Sequence, residues 1–313
     1  MRDRVVLIIV SGSDIASVNQ GNELLKKCDW DTMNPVEGFK SWRLGSVRLW
    51  WRDGWILNED NLDYRWEKET REVVTEVIFP SRHVASSGTP SLTIHPIGTF
   101  QYSGPNKPPF GGRPGDGPPP SLRMSSWMTD LKKKVEINGI KEEFSVSFET
   151  THHGPWLNSP SLFIEIGSTE DKWGNSEAAS VLADVIIDGL NLNNNSPVPS
   201  IAPKKVVFCL GGGHYAPQPM RLCDLGLTIG HMLANYALKI ERDPSSKKII
   251  DREWENVILS AYKSTQRASP ESEIWAYIDK KSFKGWQRKE IRDFLSKNDI
   301  PLGRSADLIT SET

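Results

Sequence analysis

Short apolar runs rich in β-branched residues alternate along this chain with longer segments of helical periodicity. The runs VVLIIV at residues 5–10 and VVFCL at residues 206–210 are continuous, as in strands covered on both faces of a sheet. Five further runs of strand length lie at residues 73–79, 92–95, 144–150, 162–166 and 274–278. Apolar residues at helical spacing predict helices over residues 176–190, 254–265 and 286–296. Strands that alternate with helices in this way predict an α/β domain with a mixed sheet.

The segment FQYSGPNKPPFGGRPGDGPPP at residues 100–120 interrupts this pattern. Its seven prolines and five glycines are incompatible with regular secondary structure and predict a long surface loop or flap. Because strand-like runs resume after the loop, we expect a single domain over residues 1–300 rather than a boundary at this point. Residues 301–313 are expected to form a C-terminal tail.

Two shorter stretches carry local predictions. The turn signal RDG at residues 52–54 is flanked by apolar residues and predicts a hairpin between residues 46–51 and 55–57. The stretch TIGHMLANYAL at residues 228–238 resembles a helix, so His231 is expected to be an ordinary helical histidine.

Charge and cysteine content limit the class of protein. A net charge of −2 excludes a uniformly basic nucleic-acid-binding protein, although a local basic patch is still allowed. Cys28, Cys209 and Cys223 are odd in number and lack C-x-x-C spacing, so they indicate neither a disulfide framework nor a cysteine zinc site. No run approaches the ~20 apolar residues of a membrane span, and the N-terminal run is too short for a signal peptide. The expected location is the cytoplasm, with the nucleus left open.

Five of the six histidines stand at or just beyond the end of an apolar run. They are His83, His95, His152, His153 and His214. Ligand crevices in open α/β sheets form at the carboxyl ends of strands, and imidazole supplies a proton acceptor near neutral pH or a metal ligand. We therefore expect these rings to converge in one pocket at the rim of the sheet. The alternative for each single histidine is a hydrogen-bonded loop residue.

Two features near these histidines carry further candidates. Glu165 lies in the apolar run FIEIGS, where its carboxylate can ligate a metal, orient an imidazole or act as a base; a solvent-facing place on an edge strand is the alternative. Gly211, Gly212 and Gly213 precede His214, and their backbone N–H groups are candidates for binding an oxyanion or a phosphate. The sequence GGGHYA matches neither the dinucleotide-binding fingerprint nor the P-loop, and the chain has no G-x-S-x-G or H-E-x-x-H motif.

A basic stretch near the C-terminus, IDKKSFKGWQRKEI, interleaves cations with aromatic residues. It contains Lys280, Lys281, Lys284, Arg288 and Lys289 around Phe283 and Trp286. Such a pattern suits a phosphate backbone and unstacked bases. The alternative is a solvated helix start with two aromatic residues in the core.

Five motifs in order resemble those of the archaeal and plant type of D-aminoacyl-tRNA deacylase, the GEKO-like family. They are SRHVASSGTPSLTIHPIG, ETTHHGP, PSLFIEIGSTEDKW, GGGHYAP and DKKSFKG. The resemblance implies a three-layer α/β/α fold with a mixed sheet, similar to peptidyl-tRNA hydrolase and nucleoside phosphorylases. It implies hydrolysis of the ester that joins a D-amino acid to the tRNA 3′ end, zinc as cofactor and, for the plant branch, removal of aldehyde-modified aminoacyl-tRNA. The N-terminal third resembles the family only loosely.

The motifs and this resemblance together give the expected site. Catalytic roles are expected for His152, His153, His214 and Glu165, with the three histidines as zinc ligands. Substrate binding is expected from Gly211, Gly212, Gly213, His83, His95, Lys281 and Lys284. A metal-free route with one histidine as base is the alternative mechanism. Peptidyl-tRNA hydrolase activity and non-catalytic RNA binding are the alternative functions; the expected partner is the tRNA 3′ end, with no DNA, no membrane and a monomeric chain.

Overall fold

Two sheets organise the fold in the computed structural model, which describes residues 2–103, 106–194, 198–199 and 201–309. The strands are β1 (Arg4–Ser11), β2 (Asp31–Thr32), β3 (Ser41–Leu44), β4 (Val47–Arg52), β5 (Val73–Arg82), β6 (Ser91–His95), β7 (Ser145–Phe148), β8 (Ser161–Gly167), β9 (Lys205–Leu210), β10 (Thr228–Leu233) and β11 (Glu273–Ile278). The helices of the described residues are α1 (Ile15–Lys27), α2 (Leu62–Thr70), α3 (Met124–Ile137), α4 (Glu170–Trp173), α5 (Ser176–Gly189), α6 (Pro217–Asp224), α7 (Glu253–Ala268), α8 (Gly285–Lys297) and α9 (Ser305–Ile309).

The larger sheet is mixed, as predicted. Its strand order is β2-β3-β4-β1-β5-β8-β6-β7, with β1 parallel to both β4 and β5, and β5 parallel to β8. β6 runs antiparallel to β8 and parallel to β7. The smaller sheet has the order β10-β9-β11, and its strands are parallel. The predicted α/β fold with a mixed sheet is therefore confirmed.

Helices cover both faces of this framework. Residues such as Ile8, Leu162 and Ile164 bury one face of the larger sheet in a core shared with α1, α3 and α5. The opposite face contributes Leu7 and other apolar residues to a second core, which includes residues of α2. α7 and α8 pack on the smaller sheet in a third core. Each fully buried apolar side chain of this kind stabilises the fold by about 1.5–3 kcal/mol relative to exposure, which explains why the strands are such continuous apolar runs.

Two local predictions, the hairpin and the helix at His231, are wrong because tertiary packing outweighs the local pattern, and the edge-strand alternative for Glu165 does not apply. The hairpin of this region joins β3 and β4 at Gly45 and Ser46, and residues 56–58 form a 3₁₀ helix. His231 lies in strand β10, whose residues are almost all buried. A buried strand of this kind is a continuous apolar run, and periodicity alone cannot distinguish it from a buried helix. Glu165 lies in β8, between β5 and β6, rather than on an edge strand.

The Pro/Gly-rich loop packs against the rest of the domain in its described residues. The N–H of Gly154 donates to the carbonyl of Phe110 (2.9 Å), which fixes the loop to the turn after His153. Gly111 has φ +73°, and a Cβ there would lie 1.5 Å from the carbonyl oxygen of Leu57, so only glycine allows this close approach.

The C-terminal segment returns to the smaller sheet. Leu302 pairs with Ala276 of β11, and the side chain of Leu308 in α9 is buried. Residues 310–313 of the predicted tail lie outside the described residues. Within the described part of the chain, no helix has both the length and the apolar character that crossing a membrane requires.

Candidate active site

Five imidazoles and two carboxylates from separate parts of the chain converge on one face of the larger sheet. They are His83, His95, Glu149, His152, His153, Glu165 and His214. The ring centroids of His95 and His152 are 4.2 Å apart, and those of His152 and His214 are 4.9 Å apart. His83 stacks on His214 at 5.7 Å. The predicted convergence of the five histidines is confirmed.

Strand register brings the side chains of His83, Glu165 and His95 to the same side of the sheet. Because β6 is antiparallel to β8, His95 at the end of β6 pairs with Phe163 near the start of β8. β5 is parallel to β8 and places Ser81 beside Glu165, with His83 two residues further on. Since alternate residues of a strand share a face, these polar side chains lie on the same side of the sheet. The site thus begins at the carboxyl ends of β1 and β5, at the predicted rim of the sheet, and extends across β8 to His95 at the end of β6.

The segment after β7 is held in place by the smaller sheet. The N–H of Thr150 donates to the carbonyl of His214 (2.8 Å), and the N–H of Thr151 donates to the carbonyl of Met232 (2.7 Å). His231 Nε2 lies 3.1 Å from the carbonyl of Pro118, which can only accept, so Nε2 carries the proton and Nδ1 accepts from Thr151 Oγ1 (3.1 Å). His231 therefore supports the segment that carries His152 without reaching the cluster.

Glu149 is the charged centre of the cluster and is fully buried. Its carboxylate oxygens lie 3.0 Å from His83 Nδ1, 2.8 Å from His214 Nε2 and 3.6 Å from His152 Nε2. Burial disfavours its ionised form, but His214 and His83 outweigh burial and hold the pKa of Glu149 well below its usual range. Glu149 is therefore an anion surrounded by imidazoles.

Glu165 behaves differently although it is also buried. Its Oε2 lies 3.6 Å from His95 Nε2 and 3.7 Å from His83 Nδ1. Burial raises the pKa of Glu165 above its ordinary value, and the opposing effect of His95 only reduces the shift. The site thus combines one carboxylate that stays ionised with one that takes up a proton more readily.

Backbone carbonyls fix the tautomers of three histidines. Nδ1 of His152 lies 2.7 Å from the carbonyl of Thr150, Nδ1 of His153 lies 2.6 Å from that of Gly154, and Nδ1 of His95 lies 3.1 Å from that of Pro96. Because a carbonyl only accepts, each Nδ1 carries a proton and each Nε2 has a free lone pair when the ring is neutral.

The pKa values of four rings in the cluster are shifted, in two directions. Burial and the neighbouring His95 lower the pKa of His152 well below its ordinary value and that of His153 to about 3, so both rings are neutral at physiological pH. Burial also disfavours protonation of His83 and His95, but Glu149 and Glu165 respectively outweigh it and raise the pKa of each ring. The two carboxylates therefore attract a cation to this place, whether a proton or a metal ion.

The donor atoms of the cluster fit a metal ion. The potential ligand atoms lie within 4.8 Å of one another in three groups: His95 with His152 and His153, His83 with Glu149 and His214, and His95 with Glu149 and Glu165. Both oxygens of Glu149 and Nε2 of His95 are buried without a well-aligned hydrogen bond, as expected of atoms that converge on a cation. The predicted ligand set of His152, His153 and His214 is divided between the first two groups.

A cleft of about 450 Å³ gives access to the cluster. His83, His152, His153, Glu165 and His214 line it, whereas His95 and Glu149 lie beneath its wall. The cleft also has apolar lining residues, which are Trp55, Ile56, Leu57, Val84 and Phe110, and further polar ones, which are Ser11, Ser13, Asp14, Ser81 and Arg82. Trp55 and Phe110 are half exposed, so the lining offers apolar and aromatic surface as well as the polar groups of the cluster.

The glycines before His214 have a largely structural role. The N–H of Gly211 donates to the carbonyl of Leu233 (2.8 Å), and the N–H of Gly212 donates to Ser282 Oγ (2.7 Å). Among the described residues, only the N–H of Gly213 within this triplet has no protein acceptor. Of the other predicted substrate-binding residues, Lys281 lines a different cleft, next to the smaller sheet, and Lys284 is exposed at the start of α8.

The sequence analysis missed Glu149 as a site residue. The residue stands in the motif ETTHHGP, directly after β7 and three positions before His152, and a carboxylate so close to the paired histidines was a signal for it. It also missed Tyr215 and Tyr236, whose hydroxyl groups lie 3.1 Å from His83 Nε2 and 3.4 Å from His214 Nδ1. Their contacts depend on loop geometry, which the sequence pattern does not reveal.

Comparison with known proteins gives a consistent result. A family model described as D-aminoacyl-tRNA deacylase matches residues 70–303. A protein of Arabidopsis thaliana named D-aminoacyl-tRNA deacylase is 41% identical over 319 residues, covering 97% of this chain and 99% of that protein. A protein of the same name from Pyrococcus horikoshii is 31% identical over 249 residues, covering 78% of this chain and 85% of that protein.

A solved structure extends the match to the fold. It is the crystal structure of a conserved protein of unknown function, with a TM-score of 0.78, 25% sequence identity and coverage of 99% of both chains. All seven residues of the histidine and glutamate cluster lie within the part of the chain that the family model matches. The chain belongs to the D-aminoacyl-tRNA deacylase family.

Proposed function

We propose that this protein hydrolyses the ester bond of D-aminoacyl-tRNA and releases the free D-amino acid and tRNA. Family membership supports the reaction. The observation that links the reaction to this site is the opening of four imidazoles and Glu165 into one cleft that also has apolar lining residues. An aminoacyl ester is already activated, so the enzyme must place a water and stabilise developing charge more than it must supply a strong nucleophile.

We propose zinc as the cofactor, held by His95, His152 and His153. The group of Glu149, His83 and His214 is a second set of side chains that could hold the ion. Neutral Nε2 atoms fixed by backbone carbonyls and a buried carboxylate without aligned hydrogen bonds support this choice. Zinc, when bound, supplies a Lewis acid that activates water near neutral pH.

The side chains of the cluster divide the remaining work. Glu165 lines the cleft and is placed to take a proton from the attacking water at Oε2 while the water oxygen bonds to the ester carbon. That proton is then passed to the ribose oxygen as the ester C–O bond breaks. The N–H of Gly213 is a candidate donor to the carbonyl oxygen of the substrate.

The mixed polar and apolar lining of the cleft supports a choice between D and L substrates. If the ester carbonyl faces the histidines, the two configurations direct the amino acid side chain to different parts of this lining. We propose that the D configuration sends the side chain toward Trp55, Leu57 and Phe110, where an apolar surface accepts it. The proposed biological role is translation quality control in the cytoplasm, by a monomeric enzyme that also acts on aldehyde-modified aminoacyl-tRNA.

One assay tests the function directly. Purified protein is incubated with matched D-aminoacyl-tRNA, L-aminoacyl-tRNA and N-acetyl-L-aminoacyl-tRNA. We expect rapid release of the D-amino acid and little release from the other two. Preferred hydrolysis of the N-acetylated substrate would instead identify a peptidyl-tRNA hydrolase. Removal of metal with a chelator, verified by elemental analysis, should abolish turnover, and zinc should restore it; full turnover without metal would eliminate the zinc mechanism.

A further inference from the structure

A second cleft, of about 750 Å³, lies at the carboxyl end of the smaller sheet. Its walls come from α6, from the end of β11 with the turn after it, from α8 and from residues 302–307. Six of its lining side chains are cationic: Arg221, Lys280, Lys281, Arg288, Arg292 and Arg304. Only two are carboxylates, Asp279 and Asp307. We call this the basic cleft.

Most of these cations are free to bind an external anion. In the part of the chain that the structure describes, Arg221, Lys280, Lys281, Arg292 and Arg304 form no ion pair through their side chains. The two carboxylates accept hydrogen bonds from neighbouring groups instead: Asp279 from Ser282 Oγ (2.8 Å) and Asp307 from the N–H of Arg304 (2.9 Å). Six cations against two carboxylates leave the basic cleft with a net charge of about +4, in a chain whose net charge is −2.

The basic cleft and the histidine cluster share one stretch of chain. β9 and β11 are parallel, with Leu210 paired to Ile278, so both strands end at the same edge. The stretch after β9 leads to His214 in the cluster and then to Arg221 in the basic cleft. From His214 to Arg221 the chain has three residues of extended backbone and then four of helix, so the Cα atoms of these two residues are no more than about 17 Å apart.

A direct hydrogen bond also connects the two places. The N–H of Gly212, two residues before His214, donates to Ser282 Oγ (2.7 Å), next to Lys281 of the basic cleft. A substrate whose ester reaches His214 therefore brings its neighbouring groups over the basic cleft.

The spacing of the cations favours a polyanion over a single small anion. The five free cations are exposed and come from four different elements around an open cleft, whereas a site for one phosphate would bury a few donors around it. Lys and Arg that line an open groove neutralise successive phosphates of a nucleic acid backbone and release counterions.

We propose that the basic cleft binds the phosphate backbone of the tRNA acceptor stem while the 3′-terminal ester lies in the histidine cleft. This inference rests on the proposed function, because it assigns the same substrate to a second surface. Binding here contributes affinity and register but no sequence reading, since phosphate contacts position a nucleic acid without specifying bases.

The test compares two double variants that remove the same charge. Arg292→Gln with Arg304→Gln removes two cations from opposite walls of the basic cleft. Lys68→Gln with Lys133→Gln removes two exposed cations from α2 and α3, away from both clefts. The first measurement is the Kd for uncharged tRNA as a function of salt. The second is hydrolysis of D-aminoacyl-tRNA and of D-aminoacyl-adenosine, which has no acceptor stem.

We expect the basic-cleft variant to bind uncharged tRNA about ten- to thirtyfold more weakly near 0.15 M salt, with a salt slope smaller by about 2. KM for D-aminoacyl-tRNA should rise by a similar factor, and hydrolysis of D-aminoacyl-adenosine should change less than twofold. The control variant should match the wild type in each measurement. Equal tRNA affinity and equal salt slope in the two variants would overturn the inference. Failure of the wild type to hydrolyse either ester would overturn the proposed function. The tRNA binding data would still decide whether the basic cleft binds tRNA.

Discussion

Replacement of Glu149 by Gln should remove the charge at the centre of the active site while keeping its shape. The carboxylate is fully buried and lies 3.0 Å from His83 Nδ1 and 2.8 Å from His214 Nε2. An amide of the same size keeps the packing but is neutral, so any effect of Glu149→Gln reports on charge.

The size of the effect follows from these distances. At an effective dielectric constant of about 20, a unit positive charge 3.0 Å from this carboxylate, as on a protonated His83, interacts with it by roughly 5–6 kcal/mol before desolvation is subtracted. Net values for polar contacts with a charged group are about 1.5–3 kcal/mol, so the loss of the contacts with His83 and His214 removes about 4 kcal/mol. If that energy stabilises the transition state, kcat/KM for D-aminoacyl-tRNA falls about a thousandfold.

The assay is single-turnover deacylation of D-aminoacyl-tRNA, with zinc content measured on the same sample. Glu69→Gln on the exposed side of α2 is the control for a Glu-to-Gln change and should behave as the wild type. We expect Glu149→Gln to retain less zinc and to fold normally by circular dichroism. Wild-type rate and zinc content in Glu149→Gln would refute the central role of this carboxylate.

Two further predictions concern the elements that hold the site. Burial lowers the pKa of His231 to about 3, with Arg267 adding to the shift, so the unfolded chain binds a proton that the folded chain does not between pH 6.5 and 3. His231 makes its full contribution to the free energy of unfolding above pH 6.5, and this contribution falls by ~1.4 kcal/mol per pH unit below that pH. In urea melts, His231→Gln should therefore lose about 2 kcal/mol less stability than the wild type between pH 7 and 5. Equal losses of stability would contradict the buried neutral ring. Gly111→Ala should destabilise the fold by at least ~2–3 kcal/mol, because its Cβ would lie 1.5 Å from the Leu57 carbonyl oxygen, whereas Gly139→Ala, at φ +71° with no atom within 4 Å, should cost only ~1–2 kcal/mol of backbone strain; equal urea midpoints would show that the loop is not packed as described.

Strand positions were predictable because burial on both faces leaves a continuous apolar signal. The apolar runs of β1, β8 and β9 are predicted as strands for this reason. In the structure these strands are buried at every position except the first residue of β1. His231 was placed on a helix because residues 228–238 carry apolar residues at both spacings, and only the pairing of β10 with β9 decides between them.

The site was predictable in its residue types but not in its arrangement. The histidines next to glycine and proline indicated a shared pocket, yet the antiparallel orientation of β6 relative to β8 determines that His95 reaches it. The division of His152, His153 and His214 between two groups depends on Glu149 and His95, whose side chains are close to the others only in three dimensions. Sequence spacing contains no information on such contacts between distant segments.

The most direct test of the active-site assignment is deacylation of D-aminoacyl-tRNA by His152→Ala and His153→Ala. Both rings line the cleft, their centroids are 4.3 Å apart, and they belong with His95 to one group of potential metal ligands. With circular dichroism to verify folding, we predict that either substitution lowers the rate by at least about a hundredfold. A wild-type rate in both folded variants would show that hydrolysis takes place elsewhere in the protein.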